Sequence, residues 1–221
     1  MRLFTSYENT AMNRRSHLGS TLARGLWLVF GTTALSVAFA ADPPSHIRGT
    51  IVSATADNLT VRTEQGNVSL ALDAATKIAG VVPSSLSQNK EGTFVGIANV
   101  PGPGTSSALE VVVFPEAMKG SGLGDYPWDL SAPVNGAART SAMTNGTVKK
   151  TANADGLSLT VDYGKGEKTI QVPANVPVVG FVPADGSKLV KGAHVFIATK
   201  KDAPTSAAFV AVGIDGTVPP M

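Results

Sequence analysis

The chain has 221 residues, 43% of them hydrophobic, a formal net charge of +2 and no cysteine. The missing cysteine excludes disulfides, thiolate nucleophiles and cysteine-ligated zinc or iron–sulfur sites, so stability must come from a buried core.

The first segment carries Arg14-Arg15 and Arg24, then the apolar run Gly25-Leu26-Trp27-Leu28-Val29-Phe30, then Ala38-Phe39-Ala40. A positive start, an apolar stretch too short for a comfortable membrane span and a small-x-small site predict a signal peptide over residues 1–40. The mature protein is then periplasmic, with no membrane insertion after signal removal. Arg14-Arg15-Ser16-His17-Leu18 has the form of a twin-arginine motif with His in place of Phe, which leaves the Sec and twin-arginine routes both open. Removal of this segment takes away four arginines and one glutamate, leaving 14 basic and 15 acidic residues and turning +2 into −1. A nucleic-acid partner is therefore not expected, because the basic balance belongs to the targeting segment. The lysines of the second half, from Lys149 to Lys201, are spread over several turns and read as a solvated surface.

Beyond residue 45 the chain repeats itself. Leu59-Thr60-Val61 returns as Leu159-Thr160-Val161, and Gly80-Val81-Val82-Pro83 as Gly180-Phe181-Val182-Pro183. Gly92, Val95, Ile97 and Ala98 return as Gly192, Val195, Ile197 and Ala198, and Val112 as Val212, all at an offset of 100. Only the first strand is displaced, Gly49-Thr50-Ile51 answering to Gly146-Thr147-Val148. The period is far longer than that of a solenoid unit, which argues for duplicated domains.

Within each copy apolar and polar residues alternate, as in Leu157, Leu159 and Val161 against Ser158, Thr160 and Asp162. Turn signals such as Gln65-Gly66 and Lys165-Gly166 separate the strands, and Pro83 and Pro183 end the fourth strand of each copy. The fifth strands are expected over 92–99 and 193–199, the sixth over 107–114 and 207–213. Close-spaced short strands without a helical period predict small closed or nearly closed antiparallel barrels. Phe94 and Gly96 become His194 and Phe196 while Val95 and Ile97 are retained, so the retained face should point into each barrel and Phe196 toward the other barrel.

The stretch from Glu116 to Leu130 has no counterpart. Two readings of it stand: a linker whose Tyr126 and Trp128 pack over a barrel end, or a binding lip in which they touch a ligand oriented by Asp125 or Asp129. With Phe196, these four residues are the candidate ligand-binding set. Gly120-x-Gly122-x-Gly124 is not followed by a helix-forming run or a Gly-Lys-Ser/Thr, so a nucleotide site is not expected. Met118 or Met143 with one histidine could serve copper, although isolated methionines are ordinary packing residues, and no metal or cofactor is assigned. His194 reads as a hydrogen-bonded structural residue. No Gly-x-Ser-x-Gly turn occurs, and no catalytic residue is assigned.

The pattern Gly-Thr-Ile/Val, Leu-Thr-Val, Gly-x-Val-Pro and Gly-x-x-Val-x-Ile-Ala, over residues 47–114 and 145–214, resembles the exported bacterial β-barrel domains of unknown function with an OB-like fold. The Tyr126-Pro127-Trp128-Asp129 linker resembles that of alphaproteobacterial two-barrel proteins sometimes called metal ABC transporter permeases. A permease needs several spanning helices, and only the N-terminal segment is apolar enough to suggest one. The resemblance implies an all-β protein of two tandem small antiparallel OB-like barrels, over residues 41–115 and 144–221, joined by an irregular linker over 116–143. It carries no catalytic residue. The expected function is a non-enzymatic binding or interaction module whose partner is a small molecule or an envelope protein. The alternatives are a solute- or metal-complex-binding accessory of an envelope transport system and a periplasmic hydrolase.

Overall fold

The computed structural model describes residues 45–85, 91–102, 104–134, 137–153 and 157–221; the expected signal peptide and its twin-arginine motif lie outside them. The described chain is all-β, with thirteen strands and two short 3-10 turns, Glu116–Met118 and Gly186–Lys188. The first repeat contributes β1 (His46–Ala54), β2 (Asn58–Thr63), β3 (Gly66–Ala71), β4 (Lys77–Pro83), β5 (Phe94–Pro101) and β6 (Ser106–Val113). Then come the unrepeated β7 (Gly124–Val134) and the second set: β8 (Ala137–Ala152), β9 (Leu157–Asp162), β10 (Glu167–Val172), β11 (Val178–Pro183), β12 (His194–Lys200) and β13 (Ala203–Gly213).

The strands close into two five-stranded circuits, and neither is made by one repeat. The first runs β1-β2-β3-β13-β12 and back to β1; the second runs β5-β6-β10-β9-β8 and back to β5. Each is closed by a short parallel contact, Ser206 with Ala71 in the first and Ile170 with Ser106 in the second. The expected division into a barrel over 41–115 and another over 144–221 differs from this pairing, because the closing hairpins β5–β6 and β12–β13 are exchanged between repeats. Both hairpins carry the same alternation of inward and outward residues, so either satisfies either circuit, and the repeat pattern cannot tell which is used.

The connection between circuits runs through the repeated Gly-x-Val-Pro stretch. β4 pairs parallel with β13, β11 pairs parallel with β6, and β4 and β11 pair antiparallel with Val81 opposite Phe181. Pairing a position with its own repeat equivalent is what a local two-fold relation requires.

The interior follows the alternation. Val95, Ile97, Val148, Leu159, Val161 and Ile170 fill the second circuit, and Ile51, Leu59, Val61, Leu70, Val195 and Ile197 the first. Burial of each such side chain is worth about 1.5–3 kcal/mol. The first strands pass close to their neighbours at equivalent points. A Cβ on Gly49 would fall on the Arg62 carbonyl and within 2.7 Å of Val61 Cγ1; one on Gly146 would fall on the Asp162 carbonyl and within 2.7 Å of Val161 Cγ1. Both strands carry a register shift a few residues later, at Ile51/Ser53 and Val148/Lys150. Besides the displaced first strands, the constant sequence offset fails in the closing strands. Val113 lies opposite Val95 as Val212 lies opposite Val195, so Glu110 is the spatial counterpart of Phe209, each facing the alanine of its partner strand.

A third apolar layer lies outside both circuits and includes Ala79, Val81, Val112, Phe181, Phe196, Ala211 and Met221. Phe114, Phe181 and Phe209 meet edge-on within it at 5.1 and 5.6 Å. Residues 116–143, expected as an irregular linker, instead hold a 3-10 turn, β7 and the start of β8, and β7 pairs with β8. Among the described residues no helix is long and apolar enough to cross a membrane.

Candidate functional site

Among the described residues the unrepeated strand β7 pairs with β8 alone, and such an edge strand tolerates Pro127. The two-residue strand period turns Tyr126 and Trp128 to one face and Asp125 and Asp129 to the other. Across the pairing, Tyr126 lies opposite Met143 and Trp128 opposite Ser141, whose hydroxyl donates to the Trp128 carbonyl at 3.1 Å. Asn145, one step further along the face of Met143, donates from Nδ2 to the Tyr126 hydroxyl at 3.0 Å.

This face closes over the apolar layer and leaves a cavity of about 640 Å³, lined by Tyr126, Trp128, Met143, Asn145, His46 and Phe196 among others. The exchange between repeats that removes the aromatic ring from position 96 shapes it. Phe196 lies opposite Arg48, which sits over its ring at 5.2 Å; the equivalent Gly96 lies opposite Asn145, whose Oδ1 would be 2.6 Å from a Cβ placed there. Gly96 thus makes room for the Asn145 amide. His46 and Met143 are equivalent in the same way, facing Ala198 and Ala98, and both line the cavity. The His46 ring lies tilted against two others, 4.3 Å from Trp128 and 5.4 Å from Phe196 between centroids.

The polar atoms around the cavity fall into two groups. Asp129 is fully engaged: Arg48 donates to both its oxygens at 2.7 and 3.1 Å, and His46 Nδ1 lies 3.2 Å from Oδ2. Burial pushes the Asp129 carboxyl up, but Arg48 and then His46 outweigh this and hold it below the usual carboxylate range. Arg48 also donates from Nε to the Met221 carbonyl. In contrast, Trp128 Nε1 and Asn145 Oδ1 are buried with no hydrogen-bond partner in the protein, and neither oxygen of Glu110 has one. Glu110 is 1% exposed, and burial pushes its carboxyl up to about 8, with Arg48 pulling it down and Asp129 pushing it further up. Burial also pushes the Tyr126 hydroxyl up.

Of the five residues singled out from sequence, Tyr126, Trp128 and Phe196 line one cavity. Asp129 stands behind His46 and does not line it. Asp125 faces away, accepting from Thr144 Oγ1 at 2.6 Å and from Lys168 Nζ at 2.9 Å, with Asn99 Nδ2 donating to that Thr144 at 2.9 Å. His194 lies 3.4 Å from Thr50 Oγ1 and, like Asp129, borders a separate hollow of about 990 Å³. Sequence reasoning did not single out His46, Asn145, Glu110 or Met221 as site residues. The signal for the first lay in the displaced strand: His46 stands three residues before Gly49 as Met143 stands three before Gly146. Gly120 and Gly122 lie in the turn leading into β7, whose first residue is Gly124, and no helix follows them. Among the described residues no group of three or more His, Asp or Glu is placed to hold a metal ion. A comparison with known proteins gives no significant match to a family model, a curated protein or a solved structure.

Proposed function

We propose that this chain is an exported, non-enzymatic binding protein of two OB-like barrels that holds a small solute in the cavity beneath β7. The order β1-β2-β3-β13-β12 and its counterpart fit the five-stranded Greek-key barrel of that fold, with the last two strands exchanged. One observation carries the binding reading: an aromatic-lined cavity whose walls include Trp128 and Asn145, each with a buried polar atom, Nε1 and Oδ1, that has no protein partner. An unpaired buried polar atom costs about 1–3 kcal/mol, and a ligand that supplies the partner recovers it. The cavity matches the form of ordinary small-molecule sites, mostly apolar with a few converging polar groups. Its ligand is small, has an apolar body, and offers an acceptor to the indole and a donor to the amide.

The test is a ligand-observed NMR screen of small aromatic and heteroaromatic solutes against the full chain, with hits followed by Trp128 fluorescence in a W27F background. Saturable binding that is weakened in W128F and N145L supports the reading. Binding unchanged by both variants, or no binding by any solute, overturns it.

A further inference from the structure

The chain has five methionines; two of them, Met1 and Met12, precede the described residues, and the other three all line this one cavity. Met143 and Met221 are buried there, Met118 lies in the 3-10 turn beside it, and His46 is the imidazole on the same lining. Methionine often fills irregular gaps. Here, however, the three methionines line one cavity together with a hydrogen-bonded imidazole. An ionised carboxylate only accepts hydrogen bonds, so the contact with Asp129 calls for a proton on His46 Nδ1, and the tautomer that meets it carries its lone pair on Nε2. A carboxylate behind an imidazole is the usual support of a metal-ligating histidine. Asp129 is itself held by both terminal nitrogens of Arg48, so the carboxylate behind the imidazole is fixed at both oxygens.

We propose that the cavity binds copper(I) through the thioethers of Met118, Met143 and Met221 and the Nε2 of His46. This rests on reading the cavity as a binding site and gives that site an ion as a second ligand beside the organic solute. The donor set selects the ion. Thioethers are soft, neutral ligands that favour copper(I), and without a thiolate or a carboxylate among the donors a harder divalent ion such as zinc has little to hold it. Lys77, also on the lining, is exposed, so its repulsion is screened by solvent.

The full chain, purified without oxygen, is titrated with copper(I) in competition with bicinchoninate, and separately with silver(I) as a redox-inert stand-in. The expected result is one saturable ion per chain, quenching of Trp128 emission in the W27F background, and an X-ray absorption spectrum with both sulfur and nitrogen neighbours. D129N should lower affinity by about tenfold to a hundredfold, the effect of losing a carboxylate behind a ligating imidazole. M143L and M221L, which keep the volume of the side chain, should each lower it at least as much while leaving thermal unfolding nearly unchanged. Absence of saturable copper(I) and silver(I) binding, or equal affinity in the triple Met→Leu variant, overturns the proposal. The organic screen separates the two readings: solutes that bind while the ions do not leave the cavity assignment standing and remove copper(I), whereas failure of both removes both.

Discussion

Val81 and Phe181 hold the same position in the two repeats and lie opposite each other in the antiparallel contact of β4 with β11. Their pairing puts the local two-fold between them, and the exchanged hairpins follow from it, since β4 also pairs with the closing strand of the second repeat and β11 with that of the first. The halves are therefore interlocked. A protease site inserted at the exposed Gly120-Ser121-Gly122 turn, between β6 and β7, cuts the chain between the repeats. The nicked protein should still elute as one species and unfold in one transition by circular dichroism. Separation of the halves without denaturant would contradict the exchange.

Gly49 and Gly146 sit where the first strand of each circuit crosses its neighbour, and a methyl group at either collides with a backbone carbonyl. G49A and G146A should each destabilise by about 2 kcal/mol or more, the range of an overpacked core site, measured by urea unfolding. Since the positions are equivalent, their losses should be similar.

Glu110 ties stability to pH. Its carboxyl titrates near 4.5 when unfolded and at about 8 when folded, so the folded chain holds the proton more tightly. Its contribution is fully present below pH 4.5, declines as the unfolded form ionises, and is lost as pH rises to about 8. Stability measured by urea unfolding should fall across that window. E110Q should flatten the profile and gain on the order of 3 kcal/mol at pH 8 over the parent. Asp129, Asp73, Asp162 and Asp185, all held below the usual carboxylate range, act in the opposite sense and only at lower pH.

Phe196 is buried against Trp128, His46 and the layer between the circuits. F196A should cost about 3 kcal/mol in stability, as expected for loss of a buried aromatic ring, and should weaken any ligand of the cavity.

Asp125 provides the contrast. Because it faces Lys168 and Thr144 on the other side of β7, D125N should leave ligand affinity unchanged and lower stability by no more than about 1 kcal/mol, the usual scale for a partly exposed ion pair. A drop in affinity would show that the face assignment of β7 is mistaken.

Strand identity and facing were legible in the chain itself, because alternation is local: Val95 and Ile97, Val195 and Ile197, and the Leu59 and Leu159 stretches needed only their own neighbours to mark an inward face. β7 was less legible, since Gly124-Asp125-Tyr126-Pro127-Trp128 alternates but carries a proline and has no repeat partner to confirm it as a strand. Partnership between strands was not legible at all. A hydrophobic face specifies that a strand is covered, not which of two nearly identical hairpins covers it, and only the tertiary structure decided that the hairpins cross. The same holds for the cavity. Tyr126, Trp128 and Phe196 stood out as unrepeated aromatics, yet His46, Met118, Met143 and Met221 are scattered along the chain and line one cavity only because the exchange folds both repeats onto one shared layer.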